Sequence, residues 1–362
     1  MKYLFFLGHP AHFHLFKNII LRLNKNGHQT KVLIKSKDIL ERLCIDNSLP
    51  YNNILPKTRG DSLLSIAKSF LIKYYGIGKV IRLFKPHILL GSDPTLPHLG
   101  KLFNIPSFVF SEDDADIIPQ FAKIAYPFVD VIISPYSCNA GKWNNKKISY
   151  NGYHKLAYLH PSVFTPDKSK IDSLGKGDYF ILRLTNLAAY HDEDRTGINK
   201  KILRRVIQIL EPYGSVYITA ERTLEAEFEK YRLSVDSNLI HHILYYAKLF
   251  IGDSQSMAVE SALLGTPGIR FNDFAQEIGV LNELERKYHL TTAIKTDDVA
   301  LLYKTINSMV SNDTINDEYR ERAKKMLKDK INVPSFFVWF IENYPQSAKI
   351  IKETPDYQYR FK

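Results

Sequence analysis

The chain has few cysteines and no long apolar run. Among its 362 residues only Cys44 and Cys138 are cysteines, and no metal-ligand spacing joins them. This usage excludes a disulfide-rich secreted domain and favours a reduced, cytoplasmic compartment. Because no run of about 18 apolar residues occurs, we expect no transmembrane helix. The apolar run at residues 3–7 is too short for a signal peptide and three histidines follow it, so we interpret it as a buried strand.

Common nucleotide-binding and hydrolase motifs are also missing. No Gly-x-x-x-x-Gly-Lys-Ser/Thr segment occurs, which argues against a P-loop ATPase. No Gly-x-Gly-x-x-Gly follows a strand pattern, so NAD bound in the usual mode is not expected. Neither a Gly-x-Ser-x-Gly elbow nor an Asp-x-Asp after an early strand is present. We therefore expect neither a resident cofactor nor a metal ion.

Positive charge is in excess, with a formal net charge of +11. Such a surface favours anionic partners, namely nucleic acid, phosphorylated substrates or an anionic membrane face. No zinc-finger spacing or RNP-like aromatic strand is present, so no nucleic-acid partner is expected. The basic residues are spread along the chain, and solvated helix faces explain most of them. A peripheral contact with the inner membrane face is the second interpretation.

The length and the pattern of the chain favour two domains. In the first half, short apolar runs typical of buried strands alternate with segments of helical periodicity. Residues 139–176, rich in Pro, Gly, Lys and Ser, are interpreted as an interdomain connection, after which the alternation restarts. We predict an α/β fold of two Rossmann-like domains, residues 1–155 and 156–330, with a cleft between them. Residues 331–362 form a C-terminal helix and tail, and the helix is expected to pack across the domain boundary rather than extend the second sheet.

The most informative segment of the second half follows a predicted buried strand that ends at Gly252. Asp253 or Ser254 can cap the helix that begins there. The first turn of such a helix offers unpaired N–H groups, which suit a pyrophosphate. Glu260 lies about two turns along, where its carboxylate can accept hydrogen bonds from a ribose diol. The alternative is an ordinary capped helix with Glu260 exposed.

Three histidines, His9, His12 and His14, follow the first predicted strand. One of them could act as a general base toward an acceptor hydroxyl, because the pKa of imidazole lies near neutrality. His-x-x-His-x-His spacing could instead hold a metal ion. A capping or packing role is the third alternative. Gly8 before them permits close approach of the backbone to a ligand.

Carboxylates follow two further strands of the first half. Asp93 is either a catalytic carboxylate or the N-cap of the helix that begins near Thr95. Glu112 is the first of three consecutive acidic residues after the next strand. One of these three could contact the sugar or polarise a catalytic histidine, and at least one is expected to be only a helix N-terminal charge.

Candidate phosphate ligands in the second half are Arg183, Arg222 and Arg270. A guanidinium can bind a phosphate through two parallel hydrogen bonds. His191 could protonate a leaving phosphate or assist its elimination. For each of these residues taken alone, a surface salt bridge is the simpler interpretation.

The segment from Gly252 to Ala262, together with Leu264-Gly265-Thr266-Pro267, resembles a signature of the GT-B superfamily of glycosyltransferases and of the non-hydrolysing UDP-N-acetylglucosamine 2-epimerases. The opening segment from Gly8 to Asn18 is similar to the Gly-His-Pro-Ala-His-x-His-x-Phe-Lys-Asn motif of an archaeal and bacterial family of predicted GT-B-type glycosyltransferases. The resemblance extends from the first strand to about residue 310. It implies two open Rossmann-like domains, with UDP held mainly by the second.

The resemblance also implies roles for single residues. Glu260 would bind the ribose, and the pyrophosphate would be held by Ser254, Gln255 and Ser256. Asp93, Glu112 and His191 fall at places similar to those of catalytic groups in the epimerases. However, the epimerase Asp-Ser-Gly-Gly is Asp-Ser-Gln-Ser here, and the His-Arg-Arg-Glu-Asn run is not reproduced after His191. These departures count against epimerisation more than against nucleotide-sugar binding.

The sequence therefore predicts a metal-independent glycosyltransferase that uses a UDP-sugar donor in surface polysaccharide or glycoconjugate biosynthesis. The acceptor would be a sugar or a lipid-linked molecule, and the enzyme would be cytoplasmic or peripheral at the inner membrane face. An enzyme like the UDP-N-acetylglucosamine 2-epimerases is the alternative. A non-catalytic sugar-nucleotide-binding protein is the second alternative.

Overall fold

The computed structural model describes residues 1–56, 63–185, 197–273 and 279–362. Contacts divide the chain into two compact units. The first comprises Met1–Val163 together with Lys330–Lys362, and the second comprises Phe164–Asp329. Residues 331–362, which the sequence analysis separated as a helix and tail, are thus part of the first unit. Among the described residues, no helix is long and apolar enough to cross a membrane.

Each unit contains one parallel sheet. The strands of the first sheet are β1 (Lys2–Leu7), β2 (Gln29–Lys35), β3 (Asn52–Leu55), β4 (Ile88–Gly91), β5 (Ser107–Phe110), β6 (Val131–Pro135) and β7 (Lys147–Tyr150). Their order is β3-β2-β1-β4-β5-β6-β7. The strands of the second sheet are β8 (Tyr179–Leu184), β9 (Ser215–Ala220), β10 (Leu249–Gly252), β11 (Gly268–Phe271) and β12 (Thr292–Ile294), in the order β12-β11-β10-β8-β9. The predicted fold of two Rossmann-like α/β domains is confirmed.

Helices connect most of the strands. They are α1 (Pro10–Lys25), α2 (Leu40–Asp46), α3 (Leu63–Phe84), α4 (Thr95–Phe103), α5 (Pro119–Ala125), α6 (Leu156–Leu159), α7 (Lys200–Leu210), α8 (Ile240–Tyr246), α9 (Gln255–Leu264), α10 (Gly279–Arg286), α11 (Val299–Val310), α12 (Ile315–Asp329), α13 (Val333–Glu342) and α14 (Gln346–Glu353). Short 3₁₀ segments cover Gly141–Lys146, Lys168–Leu174, Ala226–Tyr231, Ser237–Leu239 and Pro355–Phe361.

The first sheet is buried on both faces, as its apolar strands require. From Tyr3 to Leu7 every side chain of β1 is fully buried. In register, Phe5 lies between Val32 of β2 and Leu90 of β4. Helix α1 packs with an apolar face of helical spacing that includes Phe16, and it ends just before Gly27, whose φ of +83° suits glycine.

The C-terminal helix α13 covers the first unit. It contacts α1 and α6, and its Phe337 ring packs edge-on against Phe110 of β5 and Tyr150 of β7. A hydrogen bond also holds α13 in place, because Oε1 of Glu342 lies 3.1 Å from Nε2 of His28. Helix α13 belongs to the first unit, where most of its apolar side chains are buried, and does not extend the second sheet. Its packing across the domain boundary stays a prediction.

The order of the strands defines one switch point in each sheet. It lies between two neighbouring parallel strands from which the chain adds its further strands toward opposite edges of the sheet. In the first sheet it lies between β1 and β4, and in the second between β8 and β10. Ligands of open α/β sheets bind beyond the carboxyl ends of the strands at such points. The loops that follow these four strands carry His9, Asp93, Thr185 and Asp253. The topology therefore places the polar motifs of the sequence where a ligand is expected.

Candidate functional site

His9 and His12 begin the helix that follows β1. The ring of His9 is exposed, and its Nδ1 accepts a hydrogen bond from Ala11 N at 3.2 Å, so that His9 is the N-cap of α1. Nδ1 of His12 accepts from Gly8 N at 3.1 Å, which leaves the proton of the neutral ring on Nε2. Burial, reinforced by His9, lowers the pKa of His12 to about 4, although nearby Asp93 opposes this shift. His12 is thus a neutral hydrogen-bond donor at neutral pH.

His14 is oriented by packing. Its ring lies 5.4 Å from Phe13 and 5.2 Å from Tyr158, measured between ring centroids. Within the described ranges, no group of three or more His, Cys, Asp and Glu side chains is arranged to hold a metal ion. The geometry therefore gives His9 a capping contact, His12 a polar contact and His14 a packing contact, without a shared metal centre.

Asp93 follows β4 and is almost fully buried. Its Oδ2 lies 2.9 Å from Nζ of Lys73, and its Oδ1 accepts from Thr95 N at 2.9 Å, at the start of α4. Burial alone would raise the pKa of Asp93, but the Lys73 ammonium and the hydrogen bonds from Thr95 outweigh it and lower the pKa. Asp93 is therefore ionised and paired with a lysine that the sequence analysis did not identify. The N-cap of α4 is Pro94, so Asp93 is not the N-cap, although it accepts the N–H of the first helical residue.

Glu112 follows β5 and makes a second, largely buried ion pair. Its Oε2 lies 2.5 Å from Nζ of Lys155, and its Oε1 accepts from His154 N at 2.7 Å. Burial acts to raise the pKa of Glu112, but Lys155 and His154 outweigh it, and the pKa is lowered. Burial and the neighbouring Glu112 raise the pKa of Asp113. Asp114 accepts from Asn139 N at 2.6 Å.

The ring of His154 is enclosed by aromatic side chains. It stacks on Tyr150 with ring centroids 6.1 Å apart, and Phe110 and Phe337 lie at similar distances. Its Nε2 is buried and has no hydrogen-bond partner among the described residues. Burial lowers the pKa of His154 to about 4, against the attraction of Glu112. His154 also lowers the pKa of His12, and both residues lie near the carboxyl edge of the first sheet, His12 after β1 and His154 after β7.

The buried His154 predicts a pH-dependent stability. Its folded pKa of about 4 lies below the ordinary value of 6.5, so the unfolded chain binds a proton that the folded chain does not accept between these values. The contribution of His154 to the free energy of unfolding is complete above pH 6.5. About 1.4 kcal/mol of it is lost per pH unit as the pH falls toward 4. Urea unfolding at several pH values gives the free energy of unfolding as a function of pH. Between pH 4 and 6.5 this free energy should depend less steeply on pH for His154→Asn than for the unmodified chain. Equal slopes would contradict the assignment.

In the second unit, Asp253 makes hydrogen bonds that connect the carboxyl ends of β8, β10 and β11. Its Oδ1 accepts from Thr185 N at 2.7 Å, its backbone N donates to Arg183 O at 3.3 Å, and its carbonyl accepts from Asn272 Nδ2 at 3.0 Å. Burial raises the pKa of Asp253, opposed by the hydrogen bonds from Thr185 and by Arg222. Asp253 thus fixes the switch-point loops of the second sheet rather than capping the helix.

Ser254 is the N-cap of α9, because its Oγ accepts from Met257 N at 3.4 Å. Gln255 and Ser256, in the first turn, are half-buried and exposed, respectively. Glu260 is buried, and its Oε1 lies 3.5 Å from Nε2 of His241 in α8. The alternative of an exposed Glu260 is therefore wrong. The structure instead places a carboxylate and an imidazole together two turns along the helix.

The arginine candidates differ in their surroundings. Arg183 is paired with Glu221, and Nη2 of Arg222 donates to Ile198 O at 2.6 Å. Arg270 in β11 is fully buried, and burial lowers its pKa. This burial leaves no surface for a phosphate to contact, which counts against the phosphate role predicted for Arg270. His191 lies outside the described residues.

Two Rossmann-like α/β domains in one chain, each with a polar switch point, define a protein of the GT-B fold class. The chain belongs to the family described as a protein of unknown function, DUF354, which matches residues 4–331. A comparison with curated proteins gives no match.

Solved structures share this fold over nearly the whole chain. MnaA of S. aureus in a co-structure with UDP is 12% identical, with a TM-score of 0.69, and the match covers 96% of this chain and 97% of that one. The UDP-GlcNAc 2-epimerase from Neisseria meningitidis bound to UDP-GlcNAc is 14% identical, with a TM-score of 0.61 and coverage of 91% and 99%. The spinosyn rhamnosyltransferase SpnG is 15% identical, with a TM-score of 0.60 and coverage of 91% and 95%. At such identities the similarity shows the fold.

Proposed function

We propose that the protein is a metal-independent glycosyltransferase that takes a UDP-sugar as donor, with no resident cofactor. The observation that carries this proposal is the start of α9 at the switch point of the second sheet, with the buried Glu260 two turns along. Proteins of the same fold have been solved with UDP and with UDP-GlcNAc. A rhamnosyltransferase of this fold has been solved with its aglycone, which supports transfer to an acceptor.

The start of α9 supplies the groups that a diphosphate needs. Ser254 already caps one N–H of the first turn, and the remaining N–H groups and the helix dipole favour a negative charge there. Gln255 and Ser256 would contact the diphosphate, and the Glu260 carboxylate would accept the ribose hydroxyls. Because negative charge develops on the leaving UDP during transfer, this helix end would stabilise the transition state.

The acceptor would bind at the carboxyl edge of the first sheet. His12 would donate to a sugar hydroxyl through Nε2–H, and the ionised Asp93 supplies negative charge beside it. Removal of the acceptor proton falls to one of these two. His12 could do so only after it releases the bond from Gly8 N, and Asp93 would be a weak base, because Lys73 lowers its pKa. The acceptor itself would be a sugar or a lipid-linked molecule in surface polysaccharide or glycoconjugate biosynthesis.

Two substitutions of His12 distinguish a role as hydrogen-bond donor to the acceptor sugar from a role as general base. His12→Ala should slow turnover by about 10²- to 10⁴-fold if His12 takes the proton, with UDP binding close to normal. His12→Gln keeps an N–H donor and should retain much of the activity if His12 only donates. Steady-state rates and UDP titrations of both variants make this comparison. Full activity of His12→Ala would remove His12 from the mechanism.

UDP-GlcNAc 2-epimerisation is the second candidate, because the carboxylates Asp93 and Glu112 follow the neighbouring strands β4 and β5, and Glu112 accepts from His154 N. Incubation with UDP-GlcNAc in deuterated water, followed by NMR, distinguishes the candidates. Deuterium at C2 of the sugar indicates epimerisation. Release of UDP only when an acceptor is added indicates transfer. Tight binding without turnover of any donor or acceptor indicates a non-catalytic binding protein and would contradict both enzymes.

A further inference from the structure

Four large apolar side chains are strongly exposed on one side of the first unit. Leu71 and Tyr75 of α3 are 71% and 73% exposed, and Leu83 of α3 and Leu102 of α4 are each 74% exposed. No other large apolar side chain of the described residues is exposed to this extent. Single exposed leucines are common, but a cluster of them indicates an interaction surface.

These side chains share one continuous surface. Tyr75, Leu83 and Leu102 line a groove of about 360 Å³ between α3 and α4, with Phe103 among its other walls. Leu71 lies one helical turn before Tyr75 and therefore on the same face of α3. Lys73, which pairs with Asp93, is buried on the opposite side of that helix. The exposed face is thus separate from the polar residues at the carboxyl edge of the sheet.

The charged residues of α3, α4 and the groove have one sign. Neither α3 nor α4 contains an aspartate or a glutamate. Lys79 and Arg82 line the groove, and exposed Lys68 lies one turn before Leu71. The guanidinium of Arg82 lies 5.5 Å from the centre of the Phe103 ring. Apolar side chains with a cationic rim match the interface of an anionic bilayer, where acyl chains lie beneath a layer of phosphates.

We propose that this surface, the α3–α4 patch (Leu71, Tyr75, Leu83, Leu102, Lys68, Lys79 and Arg82), binds anionic membrane lipid. The four apolar side chains would enter the boundary between headgroups and acyl chains, while the lysines and the arginine would contact lipid phosphates. A second copy of the chain fits less well, because two such patches would bring like charges together. The proposal does not rest on the proposed function, since the patch contains none of the sugar-nucleotide residues.

Co-sedimentation of the full chain with lipid vesicles tests the proposal. The protein should bind vesicles of phosphatidylcholine and phosphatidylglycerol but bind pure phosphatidylcholine weakly, and added salt should weaken the binding. The triple variant Leu71→Ser/Tyr75→Ser/Leu102→Ser should bind at least tenfold more weakly, because each change removes apolar area from the bilayer. Lys68→Gln/Lys79→Gln should lose about fivefold per lysine.

Matched controls lie on other surfaces. Ile45→Ser on α2 removes an exposed apolar side chain, and Lys325→Gln/Lys328→Gln on α12 removes two exposed lysines. Both controls should bind anionic vesicles like the unmodified chain, and circular dichroism should confirm that all variants are folded. Equal binding to both vesicle types, or unchanged binding by the patch variants, would overturn the proposal. So would a dimer, seen by analytical ultracentrifugation, that the patch variants dissociate.

Discussion

Lys73→Met is expected to lower the free energy of unfolding of the first unit by about 3–5 kcal/mol, because it leaves the buried carboxylate of Asp93 without its cation. The two side chains are only 9% and 11% exposed, so water cannot replace the lost partner. Urea denaturation followed by circular dichroism measures the loss. Lys73→Met/Asp93→Asn should recover most of it, because the asparagine is neutral and can still accept the hydrogen bond from Thr95 N.

An exposed ion pair provides the control for this result. Lys101 and Asp130 lie 2.6 Å apart, but their side chains are 51% and 26% exposed. Lys101→Met should therefore change the unfolding free energy by less than about 1 kcal/mol. If Lys73→Met has an effect as small as that of Lys101→Met, the Asp93 site is more hydrated than its burial indicates.

Glu260→Ala is expected to weaken UDP binding by about 10- to 100-fold, since in the proposed function Glu260 makes charge-assisted hydrogen bonds worth about 1.5–3 kcal/mol to the ribose. Isothermal titration calorimetry with UDP measures this directly, without a donor sugar or an acceptor. Glu321→Ala, on the exposed surface of α12, is the matched control and should bind UDP normally. Unchanged UDP affinity in folded Glu260→Ala would remove the ribose assignment. His241→Gln retains a side-chain donor near Glu260 and should have a smaller effect.

The parts of the fold that were predicted correctly depend on local pattern. A fully apolar run such as residues 3–7 can be satisfied only between two layers, and the spacing of Phe16 and Leu23 fits one face of a helix. The helix start at Ser254 was predicted for the same reason, because a capping side chain acts within three residues. These signals lie within one or two turns of chain and need no tertiary information.

The partners of the site residues could not be predicted in this way. Lys73 lies 20 residues from Asp93, Lys155 lies 43 residues from Glu112, and neither spacing belongs to a local motif. Sheet topology brings these pairs together. Residues 139–176, interpreted as a connection, include β7, one of the two edge strands of the first sheet. Its four residues are too short to give a clear strand signal, so His154 and Lys155 after it were missed.

The second unit is inserted between the two parts of the first in the chain, since Phe164–Asp329 separates Met1–Val163 from Lys330–Lys362. During synthesis the ribosome therefore releases all of the second unit before the residues that complete the first. Until Phe337 has been synthesised, it cannot pack against the rings of Phe110 and Tyr150. Apolar surface of the first unit therefore stays uncovered on the nascent chain. The second unit should fold first, and a stop codon near Lys330 should leave the first unit prone to aggregation.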